Sequence, residues 1–262
     1  MKKKKTVAKV VGESVVDKTS KVHQRENLGY KLNIAKVDWT PKQQEYIDMV
    51  RDADTKIVFV KGCAGTGKTL LNMAIALELL NIGRIKEIIC ARSVVESSSV
   101  GMGYLPGSQE EKLAPYAIPF MDKLKMLLNK NQIDLLLKDE RIQFIPINFL
   151  RGREFNASFI LLDESQNLVS EEISTMLTRY GKYSKLILAG DSEQSDIESF
   201  RKSKSGFKPL YVWFDNPIAV SHGIKCFKFG IEDIKREPVI GYIVEEYTKY
   251  KAQNNLNLQH KM

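Results

Sequence analysis

Apolar residues fall along this chain in short blocks whose spacing changes character from one block to the next. Ile57-Val58-Phe59-Val60 is an uninterrupted, largely β-branched run, and such a run reads as a strand buried on both faces. Comparable runs predict strands over Glu87–Ala91, Ile142–Ile145, Phe159–Leu162, Lys185–Leu188 and Lys225–Phe229. Lys68–Asn81 is different: Leu, Ala, Met and Ile occupy most faces, which predicts a buried helix stopped by Gly83. Upstream, Thr40-Pro41-Lys42-Gln43 predicts a helix start. Thr40 would be the N-cap, Pro41 the first helical residue and Gln43 the closing member of a capping box, with the helix running to about Arg51. Further helices are expected over Ala117–Leu128, Glu171–Arg179 and Val239–Tyr250. Strands that alternate with helices imply an α/β fold, a single domain with a parallel sheet covered on both faces.

Composition narrows the class without changing this picture. The 262 residues are 43% apolar and 27% charged, ordinary for a soluble globular domain. No apolar run reaches the length of a membrane span. The opening lysines are followed by Thr6–Val16, which Lys9, Gly12, Glu13 and Ser14 interrupt, so no signal-peptide core is expected and a cytoplasmic location is. Cys63, Cys90 and Cys226 are odd in number and lack a C-x-x-C spacing, which favours reduced thiols over disulfides or zinc. The net charge of +8 is concentrated near the start, where residues 1–36 hold ten Lys or Arg against three acids. The chain therefore divides into a basic arm over 1–36, a globular domain over 37–252 and a polar tail over 253–262. A lysine-rich arm is more often a solvated segment than a nucleic-acid contact.

The chemistry is concentrated at three strand ends. Gly62-Cys63-Ala64-Gly65-Thr66-Gly67-Lys68-Thr69 fits G-x-x-x-x-G-K-[ST], a pattern that average residue frequencies would produce in a chain of this length about 1% of the time. A strand before it and a helix after it make chance weaker still. The glycines would let successive N–H groups face phosphates, the helix N-terminus would add its positive end, and Lys68 would reach the β- and γ-phosphates. Thr69 would ligate Mg²⁺ through its hydroxyl. Phe159-Ile160-Leu161-Leu162 ends in Asp163-Glu164, a strand delivering two carboxylates as a Walker B strand does. Asp163 would serve the metal, partly through water, and Glu164 would polarise the attacking water. Alone, the same residues would equally suit a helix cap formed by Asp163 or Ser165. A third strand leads through Gly190-Asp191 to Gln194, whose amide could bond both the γ-phosphate and the water. A plain polar turn is the competing account there.

In this combination Thr40 to about Tyr250 resembles the PhoH-like family, phosphate-starvation-inducible P-loop ATPases similar to the first motor domain of superfamily-one helicases. The resemblance is carried by Thr40-Pro-Lys-Gln43, residues 62–69, Gly103-Tyr-Leu-Pro-Gly107, and Lys112 with Pro115-Tyr116. It continues through Leu150-Arg-Gly-Arg153, Leu162-Asp-Glu-Ser-Gln-Asn167, Leu177-Thr-Arg179, Gly190-Asp191, Gln194, Ser205-Gly206 and Arg236-Glu-Pro-Val239. It implies a RecA-like P-loop core using ATP and Mg²⁺, with Gln43 reading the adenine edge and Arg236 acting as arginine finger or γ-phosphate sensor. Arg92 and Arg179 also follow family motifs and would serve phosphates or a subunit contact. Departures are Ser93 and Cys63 where proline is common, a longer Ser97–Ser99 stretch, and Glu237 in place of histidine.

Two function classes follow. One is a nucleic-acid-stimulated ATPase, RNA favoured by the resemblance, with helicase or translocase activity in a homo-oligomeric ring, hexameric for preference. Arg151, Arg153, Arg201 and Lys204 would track phosphates, and Phe207 or Tyr104 would stack a base. The other is an ATP-switched assembly module acting on protein partners, with slow hydrolysis. In either, one motor domain needs an arginine to complete its site, and a neighbouring subunit is the expected donor. Glu164 and Gln194 argue against a small-molecule kinase.

Overall fold

The computed structural model describes residues 28–92, 109–150, 152–191, 204–235 and 237–259. Helix α1 (Pro41–Arg51) begins with the expected capping box: the Thr40 hydroxyl accepts the Gln43 N–H at 3.1 Å, and the Gln43 side-chain oxygen accepts the Thr40 N–H at 3.0 Å. Strand β1 (Ile57–Lys61) leads into α2 (Lys68–Asn81). Gly83, at φ +70°, ends α2 with a Schellman pair, Arg84 N–H to the Leu79 carbonyl and Gly83 N–H to that of Leu80. Strand β2 (Glu87–Arg92), helices α3 (Gln109–Leu127) and α4 (Lys130–Lys138), and β3 (Ile142–Pro146) follow. Next come β4 (Ser158–Asp163), α5 (Ser170–Leu177) and β5 (Lys185–Gly190). The chain closes with α6 (Phe207–Phe214), α7 (Pro217–Ser221), β6 (Ile224–Lys228) and α8 (Pro238–Gln259).

Among the described residues the strands form one six-stranded sheet in the order β3-β2-β4-β5-β1-β6, and every pairing is parallel. Alternation along each strand sorts the core into two layers. Val58, Val60, Ile88, Cys90 and Leu161 face α1 to α4, meeting Tyr46, Leu71, Phe120 and Leu136. Ile57, Phe59, Ile89, Ile160 and Leu188 face the other layer, which holds Ile173 and Met176 of α5 and Phe207 and Tyr211 of α6. Both faces are covered, which is why the strands read as continuous apolar runs. No helix among the described residues is long and apolar enough to cross a membrane.

Several boundaries differ from expectation. The packed body begins before residue 37: Leu32 is buried, its N–H donates to Asn81 Oδ1 at 2.8 Å, and Ala35 N–H donates to the Leu127 carbonyl. Helix α3 starts eight residues early and carries both Pro115 and Pro119. Helix α8, expected over Val239–Tyr250, runs on to Gln259, into the segment read as a polar tail. Helices α4 and α6 had no counterpart in the apolar pattern.

Candidate functional site

Parallel strands place their carboxyl ends along one edge, and β1, β5, β4 and β2 are neighbours there. The loop from β1 to α2 is shaped by glycines that act in two ways. Gly65 and Gly67 sit at φ +94° and +83°, the left-handed region glycine enters without steric cost. Gly62 is required for space: a Cβ there would lie 2.8 Å from the Phe229 Cβ. The loop is pinned from outside as well. Gln43 donates through Nε2 to the Thr66 carbonyl at 3.1 Å, and Lys235 donates its backbone N–H to the Gly65 carbonyl at 3.2 Å. Gln43 is 1% exposed, with its amide engaged between Thr40 and Thr66, so it braces the loop and offers almost no surface to an adenine edge.

Lys68 opens α2 and folds over the loop, its ammonium donating to the carbonyls of Gly62 at 2.5 Å and Cys63 at 3.0 Å. Burial lowers its pKa, while the carboxylates of Asp191, Asp163 and Glu164 oppose that shift. The first turn of α2 is held by Asn72, which donates to the Lys68 carbonyl at 2.9 Å and accepts the Tyr46 hydroxyl at 2.7 Å. Helix α1 and the phosphate-type loop are thereby one unit. Cys63 is half-buried, and burial raises its thiol pKa, so it is no reactive thiolate.

Asp163 ends β4, and the Thr69 hydroxyl lies 3.3 and 3.2 Å from its two oxygens. Burial is the main reason its carboxyl is pushed up to about 6, with Glu164 adding to the shift and Arg92, Lys68 and Thr69 opposing it. Two adjacent carboxylates, one of them buried, call for positive charge. A hard divalent cation fits, because a hydroxyl and a carboxylate converge from Thr69 and Asp163 at the positive end of a helix near Lys68. Glu164 is held differently. Its backbone is left-handed at φ 53°, ψ 39°, a rare state for a residue with a side chain and one that clusters at functional sites. Its carboxylate meets Arg92 at 2.9 Å and the Gln166 amide at 2.6 Å.

The structure does not bring all sequence-identified residues to this edge. Gln194, Arg236, Arg151, Arg201 and Tyr104 lie outside the described residues. Arg153 is exposed, with its guanidinium 5.1 Å from the Phe155 ring centroid. Phe155 in turn accepts nothing from the loop edge; its N–H donates to the Arg179 carbonyl just before β4 begins. Arg153 and Arg179 therefore lie toward the amino-terminal end of the sheet, about 20 Å of strand from Asp163. Lys204 is exposed, whereas Phe207 is fully buried against Phe59 and stacks no base. Residues without an assigned role in the sequence now have contacts, as Gln166, Asn72 and Tyr46 brace the site; Arg92, expected at phosphates or a subunit contact, faces Glu164. Only their polar identity within apolar or motif segments hinted at this.

A model of the PhoH-like protein family matches residues 37–248. The PhoH-like protein of Bacillus subtilis (strain 168) is 34% identical over 211 residues, covering 80% of this chain and 63% of that protein. Protein PhoH2 of the same organism is 39% identical over 160 residues, 59% of this chain and 36% of its own length. The chain thus spans less than two thirds of the length of these relatives. The large terminase of bacteriophage HK97 superposes with a TM-score of 0.50 at 14% identity, over 91% of this chain and 53% of that one, a likeness of fold alone. The parallel sheet and the glycine loop between β1 and α2 give the chain a P-loop NTPase fold with a RecA-like core, and it belongs to the PhoH-like protein family.

Proposed function

We propose that the chain hydrolyses ATP with magnesium and couples the cycle to binding or remodelling nucleic acid, RNA in preference to DNA, as a ring of identical subunits. The observation that carries the hydrolytic part is the convergence of Thr69 and Asp163 within 3.3 Å beside Lys68, with Glu164 one residue further on. In this reading Lys68 exchanges the carbonyls of Gly62 and Cys63 for the β- and γ-phosphates. Thr69 and Asp163 hold Mg²⁺, which when bound offsets phosphate charge. Glu164 accepts a proton from the attacking water, and Gln194 orients that water. Arg236 is the proposed γ-phosphate sensor.

Nucleic-acid binding is supported by the exposed Lys204 and Arg153, each within three positions in sequence of a further arginine, Arg201 and Arg151. ATP turnover measured with and without single-stranded RNA and DNA at low salt tests it. Stimulation, stronger with RNA, is expected; absence of both stimulation and binding would sink this half of the proposal while leaving hydrolysis standing.

A second reading, an ATP-switched module that acts on protein partners, is favoured by exposed apolar surface. Trp213 on α6 is 75% exposed, and on α8 Tyr242 is 64% exposed, with Val239, Ile243, Tyr247 and Tyr250 also exposed along that helix. Self-association through this surface also suits a ring. A mass measurement at micromolar protein with ATP and magnesium separates the cases. A persistent monomer that binds no polymer contradicts the ring.

A further inference from the structure

The carboxylate of Glu164 is held at both oxygens. Oε1 accepts from the Arg92 guanidinium at 2.9 Å, and Oε2 accepts from Gln166 Nε2 at 2.6 Å. The two partners are built differently. Gln166 is 2% exposed, and its own amide oxygen accepts the Asp191 N–H at 3.0 Å. An N–H can only be met by the oxygen, so the amide cannot flip, and its NH₂ must face Glu164. Gly190 keeps room for it: a Cβ there would lie 3.0 Å from Gln166 Oε1 and 3.2 Å from Gln166 N. Gln166 therefore ties Glu164 to the end of β5, the strand from which the chain continues toward Gln194.

Arg92 is the releasable partner. It is the last residue of β2, paired in register with Asp163, and about a third of its side chain is exposed, as is that of Glu164. Ion pairs exposed to this degree contribute little net free energy, so such a contact exchanges readily. A guanidinium on Oε1 also competes with water for the oxygen that would receive the proton.

We infer that Arg92 and Gln166 are opposed positioning residues: Gln166 aims Glu164 at the reacting water, and Arg92 restrains it in a resting orientation that must be released for hydrolysis. This rests on the reading of Glu164 as the base. Without release, one oxygen stays committed to Arg92. With release, Gln166 keeps the other oxygen fixed and so preserves the aim.

Steady-state hydrolysis at saturating Mg-ATP, with nucleotide affinity measured in parallel, tests the pair. Arg92→Ala is expected to raise kcat about two- to fivefold with KM changed less than twofold, the factor a partly exposed ion pair represents. Arg92→Lys, which keeps a charged donor, should recover less than half of that increase. Gln166→Glu keeps the shape but turns an oxygen toward Glu164, and should lower kcat by about tenfold or more at unchanged KM. Gln166→Ala, which places no charge in the core, should lower it too. Equal or reduced kcat in Arg92→Ala overturns the restraint if Glu164→Gln is inactive. If Glu164→Gln still turns over, it is the base assignment that fails instead.

Discussion

Thr69 and Asp163 stand 94 residues apart in sequence, and the Thr69 hydroxyl lies 3.3 and 3.2 Å from the Asp163 oxygens. The contact joins the first turn of α2 to the end of β4 across the shared carboxyl edge of the sheet. It makes the phosphate loop and the acidic strand one site.

Removing either member should weaken magnesium-dependent nucleotide binding. Thr69→Ala and Asp163→Asn are each expected to lower the affinity gained on adding Mg²⁺ by about 10–100-fold. Titration of a fluorescent ATP analogue against Mg²⁺ reads this directly. An unchanged magnesium response in both variants would place the cation elsewhere.

Lys68→Ala should abolish tight nucleotide binding, because it removes the cation set among Asp191, Asp163 and Glu164 at the helix end. Calorimetry with Mg-ATP is expected to show no measurable heat of binding for this variant. Retained micromolar binding would contradict the cradle assignment.

The Asp163 carboxyl gives the stability a pH signature. Its pKa is about 6 in the folded chain against 3.8 ordinarily, so the folded state holds the proton more tightly than the unfolded state. Stability from this group is lowest above the folded value and rises as pH falls through about 6 toward 3.8. Melting temperature without nucleotide or metal, followed from about pH 7.5 to 5.5, should carry this slope. Asp163→Asn should flatten it. An identical slope in that variant would remove Asp163 as its source.

Tyr46→Phe tests the brace behind the loop. The lost hydroxyl leaves Asn72 Oδ1 without its partner in a fully buried setting, a cost of about 1–3 kcal/mol. Denaturant unfolding should show this loss, and a cost near zero would mean that the α1–α2 tie is dispensable.

The sheet was legible because both its faces are covered. Val58 and Phe59 are buried on opposite sides, so β1 reads as an unbroken apolar run. The P-loop and the Asp163-Glu164 strand end were legible because their chemistry is local in sequence. Helix α4 was not, since it is only nine residues long and the run Leu135-Leu136-Leu137 masks the i, i+3 spacing of its buried Ile133 and Leu136. Helix α6 is built from Phe207, Tyr211, Val212, Trp213 and Phe214, residues whose intrinsic preference leans to strands, and tertiary packing on Phe59 overrides it. The Gln43 amide shows a different gap: its neighbours were clear, but only the fold brings the Thr66 carbonyl to it. Arg92 meeting Glu164 depends on the register of β2 against β4, which no periodicity reports.

Turnover by Glu164→Gln tests the central claim most directly, because it asks whether this carboxylate makes a phosphate cradle into a hydrolytic site. The variant should bind Mg-ATP as tightly as the parent chain while single-turnover hydrolysis falls by about 10²–10⁴-fold, the usual contribution of a general base. Hydrolysis at the parent rate, with binding intact, would contradict the account.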